Sequence, residues 1–240
     1  MRGLLEFKLA LPERLHDGSA ASHVLLSVNL PLLRSLSLSF SLDANVLCFL
    51  AYTPRLQQLE LSPDRRDKLS LSPSEDLPTP HLPALSSFSG SLTDAFTHFS
   101  GRMGSLEEMY ICRPEATLDQ DTQDVILGDI ADDVDEEGLL RKLFNSPPDD
   151  GGYTSLKTLE LHTSLAPLPT LALLASSPIT RDVQAMRLVI DPGSAPSAGM
   201  DFHHDIASRL TSFPLLTSFN LCGMHWSCSP APSPIAISAD

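Results

Sequence analysis

A short pattern, apolar, two free positions, apolar, one free position, apolar, returns along most of the chain. Clear copies are Leu33–Leu36–Leu38, Leu56–Leu59–Leu61 and Leu156–Leu159–Leu161. Looser copies are Leu106–Met109–Ile111, Val183–Met186–Leu188 and Leu216–Phe219–Leu221, and Leu4–Phe7–Leu9 reads as a degenerate first copy. Leu85–Phe88 opens another copy but meets Gly90 where the third apolar residue belongs. The first residues stand at 4, 33, 56, 85, 106, 156, 183 and 216, giving spacings of 29, 23, 29, 21, 50, 27 and 33. The gap of 50 holds either one unseen repeat or an insertion. Successive side chains of a strand point to opposite faces. The last two apolar residues of each copy therefore share one face, and the positions beside them share the other. One strand cannot bury so narrow a stripe alone, whereas stacked copies build a continuous core.

A second landmark keeps step with the first. Short apolar segments end in proline at Leu50-Ala51-Tyr52-Thr53-Pro54, Leu143-Phe144-Asn145-Ser146-Pro147, Leu174-Ala175-Ser176-Ser177-Pro178 and Leu210-Thr211-Ser212-Phe213-Pro214. Proline cannot continue a helix and pushes the preceding residue out of the helical region. Each unit thus reads strand, loop, helix, proline stop. In the second unit Asp43 is placed to cap a helix running to Tyr52, with Val46, Leu47 and Leu50 on one face. Leucine fills 43 of 240 positions against 6% aromatics, as a small packing unit used repeatedly would require. The expected fold is α/β: an irregular solenoid with parallel strands on a concave face and helices on a convex one.

L-x-x-L-x-L followed by a helix and L-A-x-x-[T/S]-P resembles leucine-rich repeats of the class found in F-box proteins, with Thr53-Pro54 and Ser177-Pro178 where that class often has Cys-Pro. The uneven period and the Ser- and Pro-rich loops look like the divergent repeats of fungal, basidiomycete-type F-box proteins. The resemblance covers about residues 31–225. It implies a protein-binding role as the substrate-recognition part of a ubiquitin-ligase adaptor. Two departures stand beside it. The Asn or Cys expected three residues past each strand is replaced by Ser41, Asp64, Pro114, Ser164 and Met224. No F-box stands in these residues; Leu11-Pro12-Glu13 is only a faint echo of how one opens. An F-box upstream and a chain without one are both left open.

Net charge is −14. This argues against nucleic acid, whose binding depends on cations that neutralise phosphates, and against an anionic membrane surface. Glu6, Lys8, Glu13 and Arg14 interrupt any signal-peptide core, and no apolar run is long enough to span a membrane. Four cysteines are too sparse for a disulfide framework, so a cytoplasmic or nuclear setting is expected.

Residues 1–30 are expected to form a degenerate N-terminal repeat or cap, and 31–225 the solenoid. Residues 63–83, rich in Pro, Ser and Asp, and residues 191–200 read as loops. Residues 115–137 hold ten acidic side chains and no Lys or Arg, and read as a solvated insertion or, less favoured, a lure for a basic partner. Leu139, Leu140 and Leu143 mark a helix resuming from Asp135 to Phe144. Residues 226–240, with Pro230, Pro232 and Pro234, read as a disordered tail. That leaves the C-terminal end of the stack without a capping repeat, with truncation or dimerisation as the two expectations.

Chemical motifs are weak. Cys222, His225 and Cys228 have ligand-like spacing, but structural zinc wants four ligands. Asp119, Asp121 and Asp124 hint at a calcium loop, yet its sixth and twelfth places hold Asp124 and Ile130 rather than Gly and Glu. His203 and His204, being adjacent, point to different helix faces beside Asp201 and Asp205, and Asp201 or Gly199 is a natural cap. Phosphate-loop, dinucleotide and G-x-S-x-G patterns are absent. The expectation is no enzyme, no cofactor and no metal. The remote alternative is a hydrolase centred in 200–228 on His203, His225 or Cys222.

Function is therefore expected on the free positions of the strands: Ser35, Ser37, Gln58, Glu60, Ser87, Glu108, Tyr110, Thr158, Glu160, His162, Arg187, Ser218 and Asn220. The strongest candidates for partner binding are Gln58, Glu60, Glu108, Tyr110, Glu160 and Arg187, followed by Thr158, His162 and Asn220. Tyr and Arg are the types that most often carry interface energy. The expected role is a non-enzymatic protein-interaction module, with a free-standing scaffold or truncated gene product as the alternative.

Overall fold

A computed structural model of the chain describes residues 4–10, 18–39, 42–61, 82–99, 105–113, 135–145, 156–191 and 199–228. Among the described residues nine strands lie in one sheet, in the order of the sequence. They are β1 (Glu6–Leu9), β2 (Ser35–Leu38), β3 (Gln58–Leu61), β4 (Ser87–Gly90), β5 (Glu108–Ile111), β6 (Thr158–Thr163), β7 (Ala185–Ile190), β8 (Ser218–Leu221) and β9 (Met224–Ser227). The first eight run parallel, and β9 pairs antiparallel with β8. The architecture is α/β, as expected.

Every copy of the apolar pattern supplies a strand. From the Leu33 copy onward the first residue is buried just before the strand and the last two positions face the core. The opening residues Leu33, Leu56, Leu85, Leu106, Leu156, Val183 and Leu216 are all buried, as are the pairs Leu36/Leu38, Leu59/Leu61, Leu159/Leu161 and their counterparts. In five units the opening residue donates its N–H back across a turn: Leu33 to Leu30, Leu56 to Thr53, Leu85 to Leu82, Val183 to Thr180 and Leu216 to Phe213. Pro31, Pro54, Pro83 and Pro214 stand second in four of these turns, where a fixed φ suits them. Pro54 and Pro214, read from sequence as helix stops, thus also start the next strand. Pro178 instead opens a 3-10 turn (Pro178–Thr180), and Pro147 lies outside the described residues.

One backbone rung recurs at each parallel step. The carbonyl before a strand accepts two successive N–H groups of the next chain segment. Leu5 takes Arg34 and Ser35, Arg34 takes Gln57 and Gln58, and Gln57 takes Ser86 and Ser87. Ser86 takes Glu107 and Glu108, Glu107 takes Lys157 and Thr158, Lys157 takes Gln184 and Ala185, and Gln184 takes Thr217 and Ser218. The rung survives the spacing of 50 between Leu106 and Leu156. Additional residues there leave the sheet's geometry unchanged.

Helices α1 (Gly18–Leu26), α2 (Ala44–Ala51), α3 (Leu92–Phe99), α4 (Glu136–Asn145), α5 (Pro167–Ala175) and α6 (Met200–Leu210) connect the strands. Their buried residues join those of the strands in a single core. Asp43 caps α2 by accepting the Val46 N–H at 2.9 Å, and Val46, Leu47, Phe49 and Leu50 are buried. The Ser/Thr of the Thr53-Pro54 and Ser177-Pro178 pairs is buried and satisfied: Thr53 Oγ1 donates to the Leu50 carbonyl at 2.9 Å, and Ser177 Oγ to the Phe144 carbonyl at 2.5 Å. A hydroxyl without such an acceptor would be costly in this core.

Two expectations change, at Gly90 and at residues 226–228, while the helix expected from Asp135 is present. Gly90 does not break its copy. A Cβ at Gly90 would come within 2.7 Å of Cζ of Phe88, so the large ring two residues earlier fills the space of the missing side chain. The last three residues of the acidic stretch 115–137 belong with α4: Asp135 accepts the Gly138 N–H at 2.8 Å, and Glu136 and Glu137 form the first turn. Acids there complement the partial positive charge of a helix start. Residues 226–228 are not disordered tail, because Trp226 and Ser227 belong to β9. The hairpin turns through Cys222 and Gly223, both at positive φ (47° and 88°), as a two-residue turn between twisted strands requires. Trp226 packs on Phe219 with ring centroids 5.4 Å apart, and His203 of α6 lies 5.8 Å from Trp226. The remaining tail residues, most of the acidic stretch, the loops at 63–81 and 192–198, and Asp119, Asp121 and Asp124 lie outside the described residues.

Candidate functional site

Strand register turns the scattered free positions into rows. One row runs Lys8, Ser37, Glu60, Ser89, Tyr110, Glu160, Arg187, Asn220, His225. A second runs Glu6, Ser35, Gln58, Ser87, Glu108, Thr158, Ala185, Ser218, Ser227. Strands lie about 4.8 Å apart, so nine of them carry each row over roughly 38 Å. The six strongest candidates, with Thr158 and Asn220, fall on these rows; His162 stands two residues beyond Glu160 on β6, opposite Val189.

Side-chain size alternates across the first strands. β2 and β4 present serines, while β3 presents Gln58 and Glu60 and β5 presents Glu108 and Tyr110. A depression of about 260 Å³ forms over this region, lined by Ser35, Gln58, Glu60, Ser87, Ser89 and Tyr110 with the backbone edges of Leu36 and Leu59. Its floor is hydroxyl-rich and its walls are long polar side chains.

The three central carboxylates differ in what they already hold. Glu160 is engaged, with one oxygen 3.0 Å from Nε2 of His162 and the other 3.4 Å from Nη1 of Arg187. Glu108 accepts only a long contact from the Tyr110 hydroxyl, at 3.5 Å. Glu60 is exposed, and makes no hydrogen bond or ion pair among the described residues. Burial, then the charge of Glu108, its hydrogen bond and the charge of Glu160 push the Tyr110 phenol above its ordinary value. Tyr110 is therefore a neutral donor at ordinary pH. Asn220 serves the hairpin, its Oδ1 accepting the Gly223 N–H at 3.1 Å.

Two residues absent from the sequence-based set join the surface. Ser89 enters because β4 continues through Gly90. Cys112 follows β5, its Sγ 3.9 Å from Oγ of Ser89. Burial, with Glu160 and Glu60 adding to it and the Ser89 bond opposing, holds the thiol above its usual range. The thiolate, the reactive form, is thus disfavoured. Register was the missing signal for Ser89, and the exact strand end for Cys112.

The weaker chemical candidates are placed apart. Cys222 Sγ sits 3.3 Å from the Ile190 backbone nitrogen, and the partners of His203 are the rings of Phe202 and Trp226. Among the described residues no group of three or more His, Cys, Asp and Glu is arranged to hold a metal. Among them, too, no helix is long and apolar enough to cross a membrane. A separate polar cluster lies at the C-terminal ends of β5 to β7. Arg113 pairs with Glu136 at 3.8 Å and with Asp191, and Glu136 accepts the Ser164 N–H at 3.3 Å. In sequence, Arg113 and Glu136 stand on either side of residues 114–135.

No protein-family model matches the chain, and no curated protein matches it.

Proposed function

We propose that the chain is a non-enzymatic protein-interaction module, an irregular leucine-rich-repeat solenoid that receives a protein partner on the open face of its sheet. The contact centres on Glu60, Glu108 and Tyr110 around the serine-floored depression. The observation that carries this reading is the contrast among the carboxylates: Glu160 is matched by Arg187 and His162, whereas among the described residues Glu60 has no hydrogen-bond or ion-pair partner and Glu108 only a long contact. An unmatched pair of acids beside a neutral Tyr donor suits a partner presenting Lys or Arg, since interfaces pair complementary potentials. Sequential strand order and the repeated backbone rung support the solenoid.

The test is affinity purification of the tagged chain from its own host with mass spectrometry. A chain carrying Glu60→Lys and Glu108→Lys is run beside it, with Arg209→Glu on exposed α6 as control. A partner recovered by the parent and the control but lost from the charge-reversed chain is the expected result. Identical recovery from all three, or chaperones alone, overturns the reading. By the resemblance to F-box-associated repeats, the bound partner would be a ubiquitin-ligase substrate. A co-purifying ligase adaptor would extend the proposal that far, and a partner without one favours the free-standing scaffold.

A further inference from the structure

The two edges of the sheet are finished differently. At one, β9 turns back on β8 and lays Trp226 over Phe219. At the other, among the described residues, β1 is the last strand, with β2 as its one neighbour in the sheet. Leu4 and Leu5 are 46% and 48% exposed there, and Phe7 and Leu9, the counterparts of fully buried residues in β2, are only partly covered. An open strand edge is a template for pairing.

The backbone of β1 fixes how such pairing would run. The Leu5 carbonyl accepts from Arg34 and Ser35, and the Leu9 carbonyl accepts from Ser39, so the odd-numbered residues turn their backbone groups toward β2. Backbone groups alternate sides along a strand. Those of Glu6 and Lys8 therefore point out of the edge. We infer that a second copy of this chain pairs antiparallel with β1 about a two-fold axis at Phe7, joining the two sheets edge to edge.

In this register Glu6 faces Lys8 of the other copy twice over, and each such pair exchanges two backbone hydrogen bonds. Phe7 meets Phe7 on the core side, and Leu5 meets Leu9. Opposite charges directly across a strand pair stabilise it, and like charges oppose it. Centring the axis on Lys8 or on Glu6 would instead set like charges against each other. Shifting by half a step would place core-facing residues opposite solvent-facing ones. Among symmetric antiparallel registers, the one at Phe7 satisfies faces, charges and hydrogen-bond directions together. Such an interface is isologous and closed, so it stops at two copies.

Sedimentation equilibrium on the full 240-residue chain tests this. The parent is expected to dimerise, and Lys8→Glu to raise the dissociation constant by roughly tenfold or more, two attractive pairs having become repulsive. Glu6→Lys is expected to do the same. An equimolar mixture of the Lys8→Glu and Glu6→Lys chains is expected to recover a dimer containing one of each, because every facing pair is again opposite in sign. Both residues are exposed, so each variant is expected to fold, with circular dichroism as the check. A monomeric parent, a dimer indifferent to Lys8→Glu, or a mixture that behaves as the average of its parts overturns the inference.

Discussion

The same strands write two different texts on the two faces of one sheet. Toward the helices stand Leu, Ile, Met and Phe, with Thr163 at the end of β6, and from β2 to β8 almost all are less than 5% exposed. Toward solvent stand Ser, Thr, Gln, Glu, Tyr, Arg and His at the alternate positions. The inner face is constrained by volume, because close-packed interiors tolerate neither voids nor surplus atoms. The outer face is free of that constraint. Its composition can follow a partner, and the unmatched acids on β3 and β5 beside the matched one on β6 are where it departs from a merely solvated surface.

The sharpest way to break this comparison is Leu59→Asp. It places an unpaired charge in the core and should cost about 4 kcal/mol or more, enough to abolish folding of a marginal domain. Thermal and urea melts would show it as loss of the cooperative transition. Gly90→Ala comes next. Its methyl meets Cζ of Phe88, a ring buried in the core, so a loss of about 1–3 kcal/mol is expected from overpacking. Adding Phe88→Leu removes the obstructing ring atoms, and the double variant should recover part of that loss. A double variant no better than Gly90→Ala alone would refute this packing account.

The outward effects are smaller. Glu60→Ala, one residue from Leu59, should change stability by no more than about 0.5 kcal/mol. Equal destabilisation by Leu59→Asp and Glu60→Ala would contradict the assignment of faces. The smallest effect concerns Tyr110. Its phenol holds its proton above the ordinary value of 10.0 in the folded chain, so its contribution is complete below that value and is lost as pH rises through the folded one. Tyr110→Phe should flatten the alkaline limb of the stability curve. An unchanged limb would show the phenol to be uncoupled from folding.

The strands were legible because six of the apolar triplets carry both face and position in three residues, as in Leu156–Leu159–Leu161. The cap at Asp43 was legible for a similar reason: capping acts within one turn. What escaped was whatever depends on a distant residue or on backbone torsion. Gly90 looked like a defect because the compensating bulk sits in Phe88. The hairpin at Cys222-Gly223 depends on positive φ at a cysteine, which L-residues other than Asn and Asp rarely adopt. The candidate residues were recognisable one strand at a time. That Glu160 is matched by Arg187 while Glu60 has no partner among the described residues depends on which side chains meet across the sheet, and periodicity does not reveal that.

The repeated carbonyl rung has a consequence for how the chain acquires its structure. Each rung joins a segment only to the one before it, so each strand has its docking edge in place once its predecessor has formed. Proteins whose contacts are made mainly between nearby units can grow their structure outward from any completed part. During synthesis, an emerging unit can add to an existing template rather than wait for the far end of the chain. β9 follows the same rule with the opposite direction, turning directly back onto β8, the segment just before it.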